Sequence, residues 1–141
     1  MVDLETLFDL VIGSDIMNIP GVLDQLETVM QGEGFSVEEI LDTQLALEEA
    51  MTNVIVHGYG RPGESIVVSC HCNPDRTEIR VADTAPRFDP LSVPDPDLET
   101  SLDNREMGGL GVYLIRKLMD EVSYCFDNGW NILTLSKRRL R

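Results

Sequence analysis

The longest periodic segment of the chain begins with a helix-capping pattern at residues 36–39. Ser36 and Glu39 have the capping-box spacing, in which a hydroxyl and a carboxylate each satisfy a free backbone donor of the other residue. Apolar residues then recur at helical spacing until a glycine-rich stretch at 58–63: Ile40, Leu41, Leu45, Leu47, Ala50 and Val54. We therefore predict a long helix that begins near Val37 and buries one stripe against the rest of the fold.

A second face of this helix carries polar groups. Side chains four residues apart lie on one face of a helix, and here these are Leu45, Glu49, Asn53 and His57. For an arbitrary helix, a solvated surface is the commoner explanation of such a face. Glu49 and Asn53 become candidate site residues only if other segments supply groups that complement them.

The flanking segments predict a sheet and two further helices. Five segments alternate apolar and polar residues or run apolar between turn signals, as strands do: 7–13, 66–72, 77–82, 122–126 and 132–135. The second and third strands are predicted to form a hairpin, and so are the last two. The last hairpin turns at Asn128-Gly129, a pair that suits a turn with positive φ. Helical spacing of apolar residues also marks 22–30 and 112–119.

The order of these elements indicates the fold class. A strand, two helices, a hairpin, a loop, a helix and a hairpin follow one another, so the helices are segregated from the sheet. Such segregation is typical of the α+β class, here a two-layer α/β sandwich with a mixed, mostly antiparallel sheet and helices on one face. A chain of 141 residues fits a single domain, so we predict one domain over 1–141.

Charge narrows the classes of partner. The formal net charge is −14, so a phosphate backbone would be repelled and we expect no nucleic-acid partner. An acidic surface ordinarily keeps a protein soluble, and it would also suit a basic protein partner. The first residues are acidic, and no apolar run approaches the length of a membrane span. We therefore expect a cytoplasmic protein without a membrane partner.

Three cysteines fit neither a disulfide framework nor paired zinc knuckles. Cys70 and Cys72 flank His71, and this triplet would be either a fragment of a metal site or part of a strand. In a strand the two sulfurs share one face and the imidazole points to the other, which disfavours a shared metal ion. We expect reduced thiols in the core.

A long segment without periodicity separates the first hairpin from the third helix. Residues 84–107 are rich in proline and acidic residues, which predicts a loop and a candidate lid. Asp83, just before it, would either start a turn or accept a hydrogen bond from an exocyclic amine. Gly108, Gly109 and Gly111, just after it, form either a hinge for the lid or a helix start whose amides approach phosphate.

Together these features form an ordered set that resembles a known family. In chain order the set is Glu49, Asn53, Asp83, Phe88, Asp89, Pro90, Gly109 and Gly111. The arrangement resembles the Bergerat-type ATP-binding fold that gyrase, the large heat-shock chaperone, histidine kinases and the MutL repair proteins share. Residues 47–59 are especially similar to the anti-sigma factor serine kinases, and the resemblance spans essentially the whole chain.

The resemblance implies ATP and Mg²⁺ as ligands and a lid over about 84–108. It implies that Asn53 coordinates Mg²⁺ and that Glu49 orients or deprotonates the attacking hydroxyl. The other binding residues that it implies are Asp83, Ala85, Phe88, Arg105, Gly108, Gly109 and Gly111. Among them Asp83 would read the adenine amino group, the glycine amides would cradle phosphate, and Arg105 would be the nearest cation. His57 is expected to cap or pack the helix end.

One residue departs from the family pattern. Family members usually have glycine two residues after the adenine-reading aspartate, where this chain has Ala85. An added methyl group would narrow the space beside the base or restrict the turn, and either effect would lower nucleotide affinity.

The resemblance implies an ATP-dependent serine/threonine protein kinase that acts as an anti-sigma factor. Such a protein phosphorylates an anti-sigma factor antagonist, binds a sigma factor, and is implied to form a homodimer. The alternative, which Ala85 favours, is a non-catalytic module whose partner binding depends on nucleotide. The catalytic domain of a histidine kinase is disfavoured, because the chain has only two histidines and no dimerisation helix to present one.

Overall fold

The structure, a computed structural model, describes residues 3–95 and 109–140. Its five strands are β1 (Glu5–Gly13), β2 (Ser65–Cys72), β3 (Arg76–Asp83), β4 (Glu121–Asp127) and β5 (Trp130–Arg138). Its three α-helices are α1 (Ile19–Gly32), α2 (Val37–Thr52) and α3 (Gly109–Leu118). Short 3-10 turns lie at Ile16–Asn18 and Pro90–Ser92, and a π-helical segment, Asn53–Tyr59, follows α2. All five predicted strands and all three predicted helices are present.

The five strands form one sheet in the order β1-β2-β3-β5-β4. Every pairing is antiparallel, so the described sheet is wholly antiparallel rather than mixed. The last hairpin turns at Asn128 and Gly129, whose φ angles of 50° and 86° are the positive values that the Asn-Gly pair predicts. The register of β3 and β5 places Asp83 directly opposite Asn131.

The helices cover one face of the sheet. Ile66 and Val68 of β2 and Ile79 of β3 are fully buried in the same core as Leu26 of α1 and Leu47 of α2. The opposite face is open, as the alternation of burial along β2 and β3 indicates. The predicted two-layer α+β sandwich with helices on one face is confirmed.

The start of α2 is the predicted one. The Ser36 hydroxyl accepts from the Glu39 amide at 3.1 Å, and the Glu39 carboxylate accepts from the Ser36 amide at 2.7 Å. The second oxygen of Glu39 also accepts from the Leu140 amide, so the buried carboxylate joins the residues after β5 to the helix start. These hydrogen bonds lower the pKa of Glu39, although burial opposes them.

The end of α2 differs from a regular helix. From Asn53 the backbone winds in the wider π form as far as Tyr59, and Gly60 then ends it with a φ of 68°. The amide of Gly60 donates to the Ile55 carbonyl at 2.9 Å. Wider turns of this kind are frequent at functional sites. Apolar periodicity does not distinguish them from an α-helix, so the sequence did not predict this segment.

Two of the three cysteines lie in the core as predicted, whereas Cys125 is exposed. Cys70 and Cys72 are buried on the helix-facing side of β2, whereas the Nδ1 atom of His71 on the other side lies 3.0 Å from the Thr6 hydroxyl. Burial raises the pKa of the Cys70 thiol to about 12, which keeps it protonated. In the described ranges, no group of three or more metal-ligating side chains comes together.

Two further observations concern the predicted lid and the membrane. The described part of the lid, residues 84–95, contains only the short 3-10 turn, while Arg105 and Gly108 lie outside the described residues. No helix within 3–95 or 109–140 is both long and apolar enough to cross a membrane.

Candidate functional site

A cavity of about 340 Å³ opens between the C-terminal part of α2 and the ends of β3 and β5. Its walls are mainly apolar and include Ala50, Val54, Val81, Val112 and Leu133. A few polar groups interrupt them. Small-molecule sites in proteins combine these two features, because apolar walls bury a ligand and a few polar groups orient it. The cavity is therefore the candidate site.

Asp83 lies at one end of the cavity and is only 6% exposed. Its Oδ1 atom accepts from the Ala85 amide at 3.0 Å and from the Asn131 side-chain amide at 3.0 Å. Within the described ranges no protein group donates to Oδ2. Burial raises the pKa of this carboxyl, while the bonds from Asn131 and Ala85 lower it. One carboxylate oxygen is thus fixed by the protein and the other is left for a ligand.

The turn after Asp83 is held by Tyr59 at the end of the π-helical segment. The Tyr59 hydroxyl donates to the Ser65 carbonyl at 2.7 Å and accepts from the Thr84 amide at 2.8 Å. It also lies 3.1 Å from the Thr84 hydroxyl. The helix that ends one wall of the cavity is therefore joined to the strand end that carries Asp83.

Ala85 and Phe88 line the same end of the cavity. Ala85 is buried and does not have a positive φ, so its methyl group places no strain on the turn. This corrects half of the sequence expectation, since the backbone here does not require glycine. The methyl group faces Gly58, where an added Cβ would lie 3.3 Å from it. The Phe88 side chain is 54% exposed, and the backbone amide of Phe88 donates to the side-chain oxygen Oδ1 of Asn131 at 3.1 Å.

Glu49 and Asn53 lie beside Gly111 at the start of α3. A Cβ added to Gly111 would lie 2.7 Å from Oε2 of Glu49 and 3.5 Å from both amide atoms of Asn53. Only glycine permits this approach without movement of a neighbour. Within the described ranges neither side chain has a hydrogen-bond partner. Burial, with a smaller contribution from the charge of Glu48, raises the pKa of Glu49.

The structure brings most of the predicted site residues together. Glu49, Asn53 and Gly111 form one cluster, and Asp83, Ala85 and Phe88 form a second, with Asn53 lining the cavity between them. Gly109 is the first residue of α3. His57 also lines the cavity, where it is exposed rather than packed under the helix end. The predicted roles of Arg105 and Gly108 fall outside the described residues.

The two clusters suit a ligand with an amine-bearing ring and an anionic tail. Asp83 offers a carboxylate oxygen to an amine, and the start of α3 offers backbone amides and the positive end of a helix dipole to an anion. The oxygen of Asn53 and the carboxylate of Glu49 are hard donors of the kind that Mg²⁺ accepts. Gly111 lets the start of α3 approach both side chains closely, because a Cβ there would contact Glu49.

Sequence reasoning missed the residues that hold these clusters in place. Asn131 and Tyr124 lie under Asp83, and Tyr59 fixes the following turn. Arg116 of α3 binds the described part of the lid by donating to the Leu91 and Val93 carbonyls and to Asp95. Asn131 comes near Asp83 only through the pairing of β3 with β5, and no local pattern singles out Tyr59 or Arg116.

The sequence of the chain is similar to those of known proteins. A family model described as the histidine kinase-like ATPase domain matches residues 12–137. The chain is 32% identical over 113 residues to the serine-protein kinase RsbW of Listeria innocua, an alignment that covers 77% of this chain and 72% of the relative. It is 34% identical over 104 residues to the serine-protein kinase RsbW of Bacillus cereus, covering 71% of this chain and 65% of the relative.

A solved structure gives an independent view of the fold. The structure of the RsbU and RsbW domains of Rv1364c from Mycobacterium tuberculosis matches with a TM-score of 0.66 and 20% identity. The match covers 95% of this chain and 33% of that one. At this identity it shows a shared fold and nothing finer.

Proposed function

Because the chain belongs to the histidine kinase-like ATPase domain family, we propose that its cavity binds Mg-ATP and that the protein is a serine/threonine kinase. Its substrate would be an anti-sigma factor antagonist, and it would also bind a sigma factor. The names of the relatives, serine-protein kinases, support the predicted enzyme class. The observation that carries the proposal is that Glu49 and Asn53 meet Gly111 at the start of α3, and that Asn53 also lines the cavity whose wall includes Asp83.

The adenine base would lie at the Asp83 end. The free Oδ2 atom is an acceptor, and the exocyclic amine of adenine is a donor. A base that presents a carbonyl oxygen at the same position would face a carboxylate and be repelled. The apolar walls, among them Val81 and Leu133, would contact the faces of the ring.

The phosphates would lie at the start of α3. Backbone amides there have no side chain in their way at Gly109 and Gly111, and the helix dipole favours negative charge. The amide oxygen of Asn53 would coordinate Mg²⁺, and we propose no other protein ligand for the ion. When bound, the ion would supply neutralisation of the phosphate charge. Fixed local groups of this kind offset the net charge of −14, since distant surface charges are screened at physiological salt.

Glu49 would act on the attacking hydroxyl of the protein substrate. Its carboxylate is half-buried, has no hydrogen-bond partner among the described residues, and lies against the helix start where the terminal phosphate would be held. It would orient the hydroxyl and accept its proton as the oxygen bonds to the terminal phosphorus and the bond from that phosphorus to ADP breaks. A raised pKa suits this task, because a stronger base retains the proton better once it is transferred.

The protein partners are the part of the proposal that rests on relatives. The chain spans just under two thirds of the length of the Bacillus cereus relative. An antagonist carrying the acceptor serine or threonine and a sigma factor are the proposed partners. A homodimer and a cytoplasmic location are proposed on the same basis.

The direct test is transfer of radiolabel from Mg-ATP to a candidate antagonist. We expect labelled antagonist with the wild-type protein and none when the acceptor serine is replaced by alanine. Calorimetry with Mg-ATP separates the alternative function: binding without transfer to any antagonist would support a non-catalytic module. Failure to bind Mg-ATP at all would refute the proposed site.

A further inference from the structure

Asn131 is a buried polar residue to which the proposed function assigns no role. It is 7% exposed, lies on β5 directly opposite Asp83, and lines the cavity. A buried amide is costly unless its hydrogen bonds are made. The partners of this side chain therefore show what it is for.

All four hydrogen-bonding capacities of the Asn131 side chain are used. Its Nδ2 atom donates to Oδ1 of Asp83 at 3.0 Å and to the Ala85 carbonyl at 2.9 Å. Its Oδ1 atom accepts from the Phe88 amide at 3.1 Å and from the Tyr124 hydroxyl at 2.6 Å. An asparagine amide offers two donors and two acceptor positions, so none is left for a ligand.

The partners also determine which way the amide points. The carboxylate of Asp83 and the carbonyl of Ala85 only accept, whereas the amide of Phe88 only donates. Exchange of the oxygen and nitrogen of Asn131 would set acceptor against acceptor and donor against donor. The Tyr124 hydroxyl completes the set from β4, so the orientation is fixed from three parts of the chain.

We propose that Asn131 is a positioning residue that determines base selectivity by holding Asp83 and the chain at 85–88. By occupying Oδ1 of Asp83 it leaves Oδ2 as the oxygen offered to an amine. By binding Ala85 and Phe88 it keeps the first residues of the lid in place as part of the cavity wall. Tyr124 holds Asn131 in turn. This inference rests on the proposed role of Asp83 in recognising adenine.

A merely structural role for Asn131 makes a different prediction. If the side chain only stabilised the fold, its removal would lower the melting temperature and leave the preference for one base over another unchanged. A positioning role predicts a change in selectivity in protein that remains folded. The ratio of the dissociation constants for Mg-GTP and Mg-ATP is therefore the informative quantity.

The test measures this ratio by calorimetry for the wild type, Asn131→Asp and Tyr124→Phe, with thermal melts in parallel. Asn131→Asp keeps the shape but sets a carboxylate against Asp83, and we expect Mg-ATP affinity to fall about tenfold or more, with loss of the preference for Mg-ATP. Tyr124→Phe deletes one hydroxyl, and a decrease in the ratio of about two- to fivefold is expected. Thr134→Val, on the open face of β5, is the matched control, and it should change neither the Mg-ATP affinity nor the ratio of the two dissociation constants.

The loss of Mg-ATP affinity at low pH gives a second measurement. The hydrogen bond from Asn131 lowers the pKa of Asp83, so Asn131→Ala should raise that pKa. Loss of Mg-ATP affinity on acidification would then begin at a higher pH than in the wild type. An unchanged midpoint would show that the Asn131 bond does not act on Asp83 and would overturn the inference.

Each outcome separates the inference from the function on which it rests. A wild-type protein that binds Mg-ATP and Mg-GTP equally would refute the proposed role of Asp83. Selectivity that Asp83→Asn abolishes but Asn131→Asp and Tyr124→Phe preserve would overturn the inference about Asn131 alone. If Asn131→Asp does not fold, Tyr124→Phe decides, because an unchanged ratio in that variant also overturns it.

Discussion

The two ends of the cavity differ in how their polar groups are satisfied. At the Asp83 end, Asp83, Asn131 and Tyr124 bond to one another and to the backbone. At the Gly111 end, the side chains of Glu49 and Asn53 have no hydrogen-bond partner in the part of the chain that the structure describes. One end is organised before a ligand arrives, and the other keeps its polar atoms free.

This difference matches the work proposed for each end. Recognition of a base needs an acceptor held in one place, and a closed network supplies that rigidity. Metal binding and proton transfer need oxygen atoms that are not already engaged. Glu49 is half-buried, so water reaches it and the cost of leaving it unpaired stays small. Substitutions at the free end should therefore affect turnover, and those at the organised end should affect affinity and selectivity.

Glu49→Gln should have the largest effect. The amide cannot take the hydroxyl proton, so we expect transfer to the antagonist to fall by about 10²- to 10⁴-fold. Mg-ATP affinity should change by less than about threefold, because the substitution removes an interaction made only in the transition state. Single-turnover transfer and calorimetry measure the two quantities. Glu38→Gln, at the exposed start of α2, is the control, and an equal loss in both variants would refute the proposed base.

Gly111→Ala should also act on turnover more than on stability. The new Cβ would lie 2.7 Å from Oε2 of Glu49, and that flexible side chain can move away. A displaced base predicts a fall in transfer of about tenfold to a hundredfold, with a nearly unchanged melting temperature. Gly21→Ala in α1, where nothing lies within 4 Å of the new Cβ, should keep full activity. Normal transfer by Gly111→Ala would show that the close approach has no function.

Arg116→Ala tests the contact between α3, which begins beside Gly111, and the lid segment that follows Asp83. Arg116 of α3 donates to the Leu91 and Val93 carbonyls and to Asp95 in the described part of the lid. Without these bonds the segment should open more often, so we expect Mg-ATP to dissociate about two to five times faster. Stopped-flow displacement of a fluorescent nucleotide measures this rate. Arg80→Ala, exposed on the open face of β3, should have the wild-type rate, and equal rates in all three proteins would show that the lid is held elsewhere.

The pH dependence of transfer should show the smallest effect. Transfer needs ionised Glu49, so its rate should fall as the pH falls through the raised pKa of that group. Burial raises this pKa most and the charge of Glu48 adds to it, so Glu48→Gln should move the midpoint to lower pH at low salt. Rate profiles of both proteins measure the shift. A midpoint that moves upward would contradict the assignment of the acid limb to Glu49.

The parts of the fold that the sequence predicted are those with local signals. The capping box at Ser36 fixes the start of α2, and the Asn-Gly pair at 128–129 fixes the turn of the last hairpin. The π-helical segment from Asn53 to Tyr59 was missed, because its apolar residues recur much as they would in an α-helix. Its form depends on packing, which the local pattern does not report.

The same reason divides the predicted site residues from the missed ones. Glu49, Asn53 and Asp83 were predicted because a family pattern marks them along the chain. Asn131 was missed because its meaning arises only when β5 pairs with β3 and places it opposite Asp83. Of the two effects expected at Ala85, restriction of the turn was wrong, since no spacing in the sequence reports a backbone angle.

The central claim, that the cavity holds an adenine nucleotide with its base at Asp83, is tested most directly by one calorimetric comparison. Mg-ATP and Mg-GTP are titrated into the wild type and into Asp83→Asn. We expect one site per chain with a clear preference for Mg-ATP in the wild type, and a loss of affinity of about tenfold or more together with that preference in the variant. Equal affinities for the two nucleotides in the wild type, or an Asp83→Asn variant that binds Mg-ATP as tightly as the wild type, would contradict the account.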